Sequence, residues 1–160
     1  MSGYIAPNQV IKMPTETQWE HAARAGTRGP NYLNIESSFH ALSHEKVDLI
    51  SIYVNNHGAK IMEYDGNHYA GVAPIGTKEP NPWGLFDVTG NAAEWCYALS
   101  SGSNQPREGA IAARGGHFNS QVHDVRIASA ELYFSPKHDK SSQIGFRVVL
   151  TTEDELPNHP

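Results

Sequence analysis

Fourteen glycines and ten prolines are scattered through the 160 residues, and they constrain this chain more than any other feature. Glycine weakens element interiors and proline removes a backbone donor. A bundle of long helices is therefore excluded, and the sequence predicts a loop-rich domain with short elements. A single cysteine, Cys96, excludes an internal disulfide and any cage of several thiolates. Lys and Arg number 12 against 17 Asp and Glu, a net charge of −5, so there is no basic footprint for nucleic acid. Apolar residues at 39% are enough for a packed core. No apolar run approaches the roughly 20 residues that cross a bilayer, so membrane insertion is not expected. The first ten residues lack a signal-peptide pattern, which points to synthesis in the cytoplasm.

The clearest local element begins at Met13-Pro14-Thr15-Glu16-Thr17-Gln18-Trp19-Glu20. Thr15 can cap a helix and Gln18 can complete a capping box. Trp19, Ala22 and Ala23 fall on one stripe, and Gly26 offers a stop, so the spacing predicts a helix over about 16–25. Residues 27–80 read as long loops holding a few short elements. Their one apolar run, Val47 to Val54, suits a helix end or a strand equally. Pro80-Asn81-Pro82-Trp83-Gly84 is turn chemistry, and 100–110 reads as a loop. Ala110 to Arg114 reads as a strand. Ile144, Phe146, Val148 and Leu150 alternate with Gly145, Arg147 and Val149, the pattern of a half-buried strand.

Four segments stand in order along the chain: Met13 to Arg24, Asn81 to Cys96 (Asn-Pro-Trp-Gly-Leu-Phe-Asp-Val-Thr-Gly-Asn-Ala-Ala-Glu-Trp-Cys), Arg114-Gly115-Gly116, and Gly145 to Val149. Together they resemble the C-terminal part of the formylglycine-generating enzyme, or sulfatase-modifying factor, family. The resemblance runs from about residue 11 to 150. It implies an α+β fold related to C-type lectins: a small twisted antiparallel sheet, few helices and long ordered loops. It also implies one N-terminally truncated domain over 1–150, followed by a polar tail over 151–160. Family members carry a substantial stretch before the first helix. Here a second copy of the chain (a homo-oligomer) or a partner chain is expected to cover what that stretch would cover.

The resemblance further implies which chemistry is absent. Family oxidases hold copper with two cysteines after Arg-Gly-Gly, and those places are Ser120 and Val125 here. A family Ser is His117 and a family Trp is Ala93. No copper is expected. The resemblance implies structural calcium instead, because the family carries such sites, and hard oxygen donors on loops suit that ion. One set would be Asp87, Gly90, Ala92 and Glu94, the second Asn34, Ile35, Asn67 and Tyr69. Of the nine histidines, His40 with His44, and His117 with His123 and Asp124, are spaced for a metal, but no third ligand is fixed by spacing.

The stretch from His117 to Lys140 is polar and dotted with aromatics, like an adaptable binding surface. Relatives without catalysis display their binding residues in this region. The candidates are Phe118, Asn119, His123, Tyr133, Phe134 and His138. The expected function is a non-catalytic recognition or structural module that binds a protein or glycan surface, for instance as a cell-surface receptor-binding protein or a virion component. The alternative is a divergent or split metal-dependent oxidoreductase.

Overall fold

The computed structural model describes residues 6–33, 44–54, 56, 61–64, 67–100, 106–134 and 141–152. In chain order the elements are β1 (Gln9–Lys12), α1 (Glu16–Arg24), α2 (His44–Ile50), β2 (Ile61–Tyr64), β3 (Asn67–Ala70), β4 (Ala93–Leu99), β5 (Pro106–Arg114), β6 (Ala130–Phe134), β7 (Ile144–Phe146) and β8 (Val149–Thr152). This is the α+β class implied by the resemblance.

Helix α1 forms where its capping chemistry places it. The Gln18 N–H donates to Thr15 Oγ1 at 3.3 Å, and the Thr15 N–H donates to Gln18 Oε1 at 3.0 Å. Ala25 already turns left-handed, φ 47°, ahead of Gly26. The helix leaves its last carbonyls unpaired, and the Asn81 amide fills that need, donating to the carbonyls of Ala22 (2.8 Å) and Ala23 (3.1 Å). Asn81 Oδ1 meanwhile accepts from the Trp83 and Leu85 N–H groups. One side chain thus closes the turn and clamps it onto the helix.

The main sheet has the order β6-β5-β4-β7. The β4–β5 and β5–β6 pairs are antiparallel, but β4 and β7 run parallel. The sheet is therefore mixed, where the resemblance implies an antiparallel one. Helix α1 packs on β4 and β5. Trp19 and Ala23 meet Ile50, Val88, Cys96, Ala98, Ala110, Ala112 and Ile127 in the core. Small alanines on the strands let the indole lie close to the sheet. Cys96 is fully buried, and burial pushes its thiol far above the usual range.

Two readings of the sequence resolve differently from expectation. The 47–54 run is both alternatives in succession: α2 ends at Ile50, and Ile52 then forms a bridge with Gly90. The C-terminal alternation keeps its period but splits into two strands and reverses its face. Phe146 is 77% exposed and Leu150 54%, while Arg147 and Val149 are only partly exposed. Arg147 turns inward because a buried carboxylate, Glu94, lies there. Strand β8 pairs antiparallel with β1, setting Gln9 opposite Thr152 and Ile11 opposite Leu150. Thr151 and Thr152 thus belong to a sheet, not to a polar tail.

Arg114, at the end of β5, is a buried cation that ties the sheet to α1. Its guanidinium donates to Glu16 Oε1 at 3.3 Å, to Glu20 Oε2 and to the Ile127 carbonyl at 3.0 Å. It also stands 5.4 Å from the centre of the Trp19 ring. Burial raises the Glu20 carboxyl, but Arg24 and Arg114 outweigh it and hold it below 4.5. Such stabilisation is complete above the unfolded-state value and is lost as pH falls through the depressed folded value. Urea midpoints should show Glu20→Gln destabilised at pH 7, with the gap to wild type narrowing as pH falls below the ordinary carboxylate range. Arg114→Ala, which takes the cation from Glu16 and leaves Glu20 with Arg24 alone, should cost about 3 kcal/mol. Calorimetry should read that as roughly 6–12 °C in Tm.

Candidate functional site

Glu94 lies on β4 at 8% exposure, and a carboxylate so buried needs partners. Arg147 supplies a two-pronged bond, Nε to Oε2 at 2.9 Å and Nη2 to Oε1 at 2.7 Å. The Trp19 indole N–H donates to Oε2 at 2.7 Å. Arg147 Nη2 also reaches the Phe86 carbonyl at 2.8 Å. Burial alone would lower the guanidinium pKa, but Glu94 reverses this and Asp87 adds to it, so Arg147 stays firmly charged.

Beside this pair opens a groove of about 790 Å³. Ile75, Phe86 and Phe146 form apolar walls, and Asp87, Glu94 and Arg147 give it a polar lining. Asp87 has a left-handed backbone, φ 56°. Its Oδ2 accepts from the Gly76 N–H at 2.7 Å, while its Oδ1 is buried with no hydrogen-bond partner. An orphaned carboxylate oxygen is a costly feature that a cation relieves. Ionised carboxylates offer about four lone-pair sites, and three bonds to Glu94 leave Oε1 with spare capacity. Asp87, Ala92 and Glu94 line the same groove, and Gly90 is not among its lining residues.

The turn under the groove is pinned by Gly90 and Asn91. A Cβ on Gly90 would lie 2.2 Å from Ser51 Oγ and 2.3 Å from the Ile52 carbonyl, so only glycine fits. Asn91 is buried. Its side-chain amide exchanges two bonds with the Ala73 backbone (2.8 and 3.2 Å), and its carbonyl accepts from the Phe118 N–H. The second calcium set is less open to description: Asn34 and Ile35 lie outside the described residues, and only the β3 backbone is described at Asn67 and Tyr69.

Past Arg114 the chain makes a run of tight turns, with Ser120 bonded back to His117, Asp124 to Gln121 and Ser129 to Arg126. The apolar side chains of the loop go inward. Val125 packs with Val47 and Tyr53, and Ile127 enters the main core. Phe118 follows them. At 4% exposure its ring belongs to the interior, which corrects its reading as a binding residue. The large apolar ring gains more from burial than from a polar loop surface. Asn119, Gln121 and His123 remain exposed. His123 Nε2 is 3.4 Å from Asp124 Oδ1. A cavity of about 50 Å³ beneath is lined by Gly116, His117, Asp124 and Ser129, with Ala93, Ala113 and Ala130. Tyr133 and Phe134 lie on β6, the edge strand, opposite Ile111 and Ala110. His138 and His40 lie outside the described residues, as does any contact they make.

The positions matched to the copper thiolates are built into the packing. Ser120 is buried and its Oγ accepts from the His117 N–H at 3.0 Å, and Val125 has no donor atom. Among the described residues no three His, Cys, Asp or Glu side chains converge to hold a metal. No helix among the described residues is long and apolar enough to cross a membrane.

The sequence reading found Glu94 but missed Trp19 and Arg147 as its partners. A signal existed, because a buried indole N–H requires an acceptor. Sequence separations of 75 and 53 residues hid which acceptor it was.

Comparison with known proteins agrees with this architecture. The chaperone protein LppX of Paenibacillus barcinonensis is 28% identical over 147 residues, 86% of this chain and 48% of the relative. The formylglycine-generating enzyme of Thermomonospora curvata is 33% identical over 85 residues, 53% of this chain and 26% of the enzyme. Treponema denticola variable protein 1 shares the fold, with a TM-score of 0.65 at 22% identity, over 89% of this chain and 48% of that one. The chain spans about half the length of LppX and of the variable protein, and a quarter of the enzyme. The sequence pattern of the sulfatase-modifying factor enzyme 1-like domain matches residues 4–152, nearly the whole chain. By that match, and by a fold whose helix, turn and strand junctions use the matching segments, this chain belongs to the sulfatase-modifying factor enzyme 1-like domain family.

Proposed function

We propose that this chain is a non-catalytic recognition module that binds a protein or glycan surface through the 117–140 region. The observation that carries the reading is the division of labour in the 117–129 loop. Phe118, Val125 and Ile127 anchor it from within, while Asn119 and His123 face solvent. A rigid loop with an exposed polar row loses little entropy on binding. Tyr133, Phe134 and His138 are the remaining residues proposed for this surface. No copper centre is proposed, since Ser120 and Val125 offer no thiolate pair.

A glycan array and a panel of immobilised surface proteins supply the test. Hits should be lost in Asn119→Ala/His123→Ala, with Tm unchanged within about 1 °C, as usual for exposed sites. Hits that survive the double substitution at full strength would remove this surface from the account. The oxidoreductase reading rests on the similarity to the formylglycine-generating enzyme. Stoichiometric copper or iron retained through purification would favour it.

Calcium enters as a clamp on loops and not as a reagent. Asp87 and Glu94 would supply carboxylates to it, and Gly90 and Ala92 carbonyls. Asn34, Ile35, Asn67 and Tyr69 form the second proposed set. An ion bound only by the folded state at 100 times its Kd adds about 2.7 kcal/mol. Calcium should therefore raise Tm by several degrees over chelated protein, and Asp87→Asn should abolish most of the rise. If Tm is the same with calcium and with chelator, Arg147 alone neutralises this site.

A further inference from the structure

The reversed face of the C-terminal strands leaves large apolar side chains exposed along it. Phe146, Val148 and Leu150 project from alternate positions, 77%, 51% and 54% exposed. Ile11, 57% exposed, stands opposite Leu150 on β1. At the other end Phe146 shares the groove wall with Ile75 and Phe86, both strongly exposed. Together the six present roughly 700 Å² to solvent, more than the 300–600 Å² of the largest patch on a typical monomer.

We propose that this face is the interface between two copies of the chain, packed about a two-fold axis. Area is the first argument. Two such faces bury roughly 1,400 Å², within the range of stable, specific interfaces. Charge is the second. A two-fold axis sets each patch against itself, so a charged patch in a chain of net −5 would repel its copy. The six side chains of this patch carry no charge, and in the groove at its edge the partly exposed Arg147 is paired with Glu94 beside Asp87. The third argument is the ribbon itself. Strands β1 and β8 form a two-stranded sheet, and such a pair is marginal in water until its apolar face is covered.

Sedimentation equilibrium on the full chain, from about 1 to 100 µM, tests this together with two single variants, Phe146→Glu and Leu150→Glu. Wild type should reach twice the chain mass within that range. Each variant would bury a carboxylate without a partner in an apolar interface. Each should weaken association about 100-fold, with circular dichroism and Tm retained because both side chains are exposed in the single chain. Leu150→Cys should cross-link to a disulfide dimer under mild oxidation, while Asn119→Cys, on the proposed recognition loop, should not. A wild type that stays monomeric to 100 µM overturns the proposal, whether the face then awaits a different chain or is shielded by residues near the termini. So does a dimer that both glutamate variants leave intact. Loss of ligand binding in Asn119→Ala/His123→Ala is read separately and does not bear on the mass.

Discussion

The indole of Trp19 stands between two buried charges of opposite sign, and most of the domain is organised around it. Its ring faces the Arg114 guanidinium, and its N–H donates to the Glu94 carboxylate. Arg114 reaches back to two acidic residues of α1, while Glu94 reaches on to Arg147 near the C-terminal strands. Buried ions are expensive singly and tolerable in satisfied sets. Here the partners meet only if α1, the middle of the sheet and the last strands come together at once, and Arg114 Nε stays buried without a hydrogen-bond partner even then. The net therefore specifies an arrangement more than it adds raw stability. It also fixes the wall of the groove in which Asp87 keeps one oxygen unpaired.

Local chemistry made much of this legible. Thr15 and Gln18 announce a helix start in sequence, and the structure closes that box atom for atom. The Pro80–Gly84 turn is equally plain, although its task of holding the helix end through Asn81 is not. The C-terminal strands show where such reading stops. Alternation gives the period of a strand, but which face meets the core depends on what the rest of the fold offers. Arg147 is drawn inward by a carboxylate 53 positions away, and Phe146 and Leu150 turn outward as a result. Phe118 fails for a related reason. An aromatic within a polar loop suggests a binding side chain, yet successive tight turns carry it under the loop and leave Asn119 and His123 above.

Family membership fixes a scaffold, and chemistry resides in the side chains placed on it. The junction residues of the scaffold are intact here: Gly90 where any Cβ would strike Ile52, Asn91 stitched to Ala73 and Phe118, Arg114 locked to α1. At Ser120 and Val125 the same scaffold holds a turn and a packed core. What that loop exposes at Asn119, Gln121 and His123 is polar, while Phe118, Val125 and Ile127 lie within.

Gln9 lies opposite Thr152 in the β1–β8 ribbon. The first and last strands described are therefore neighbours, about 5 Å apart, with Gln9 and Thr152 at the same end of the ribbon. Force applied at those two positions would open the ribbon one residue pair at a time, from Gln9 and Thr152 inward.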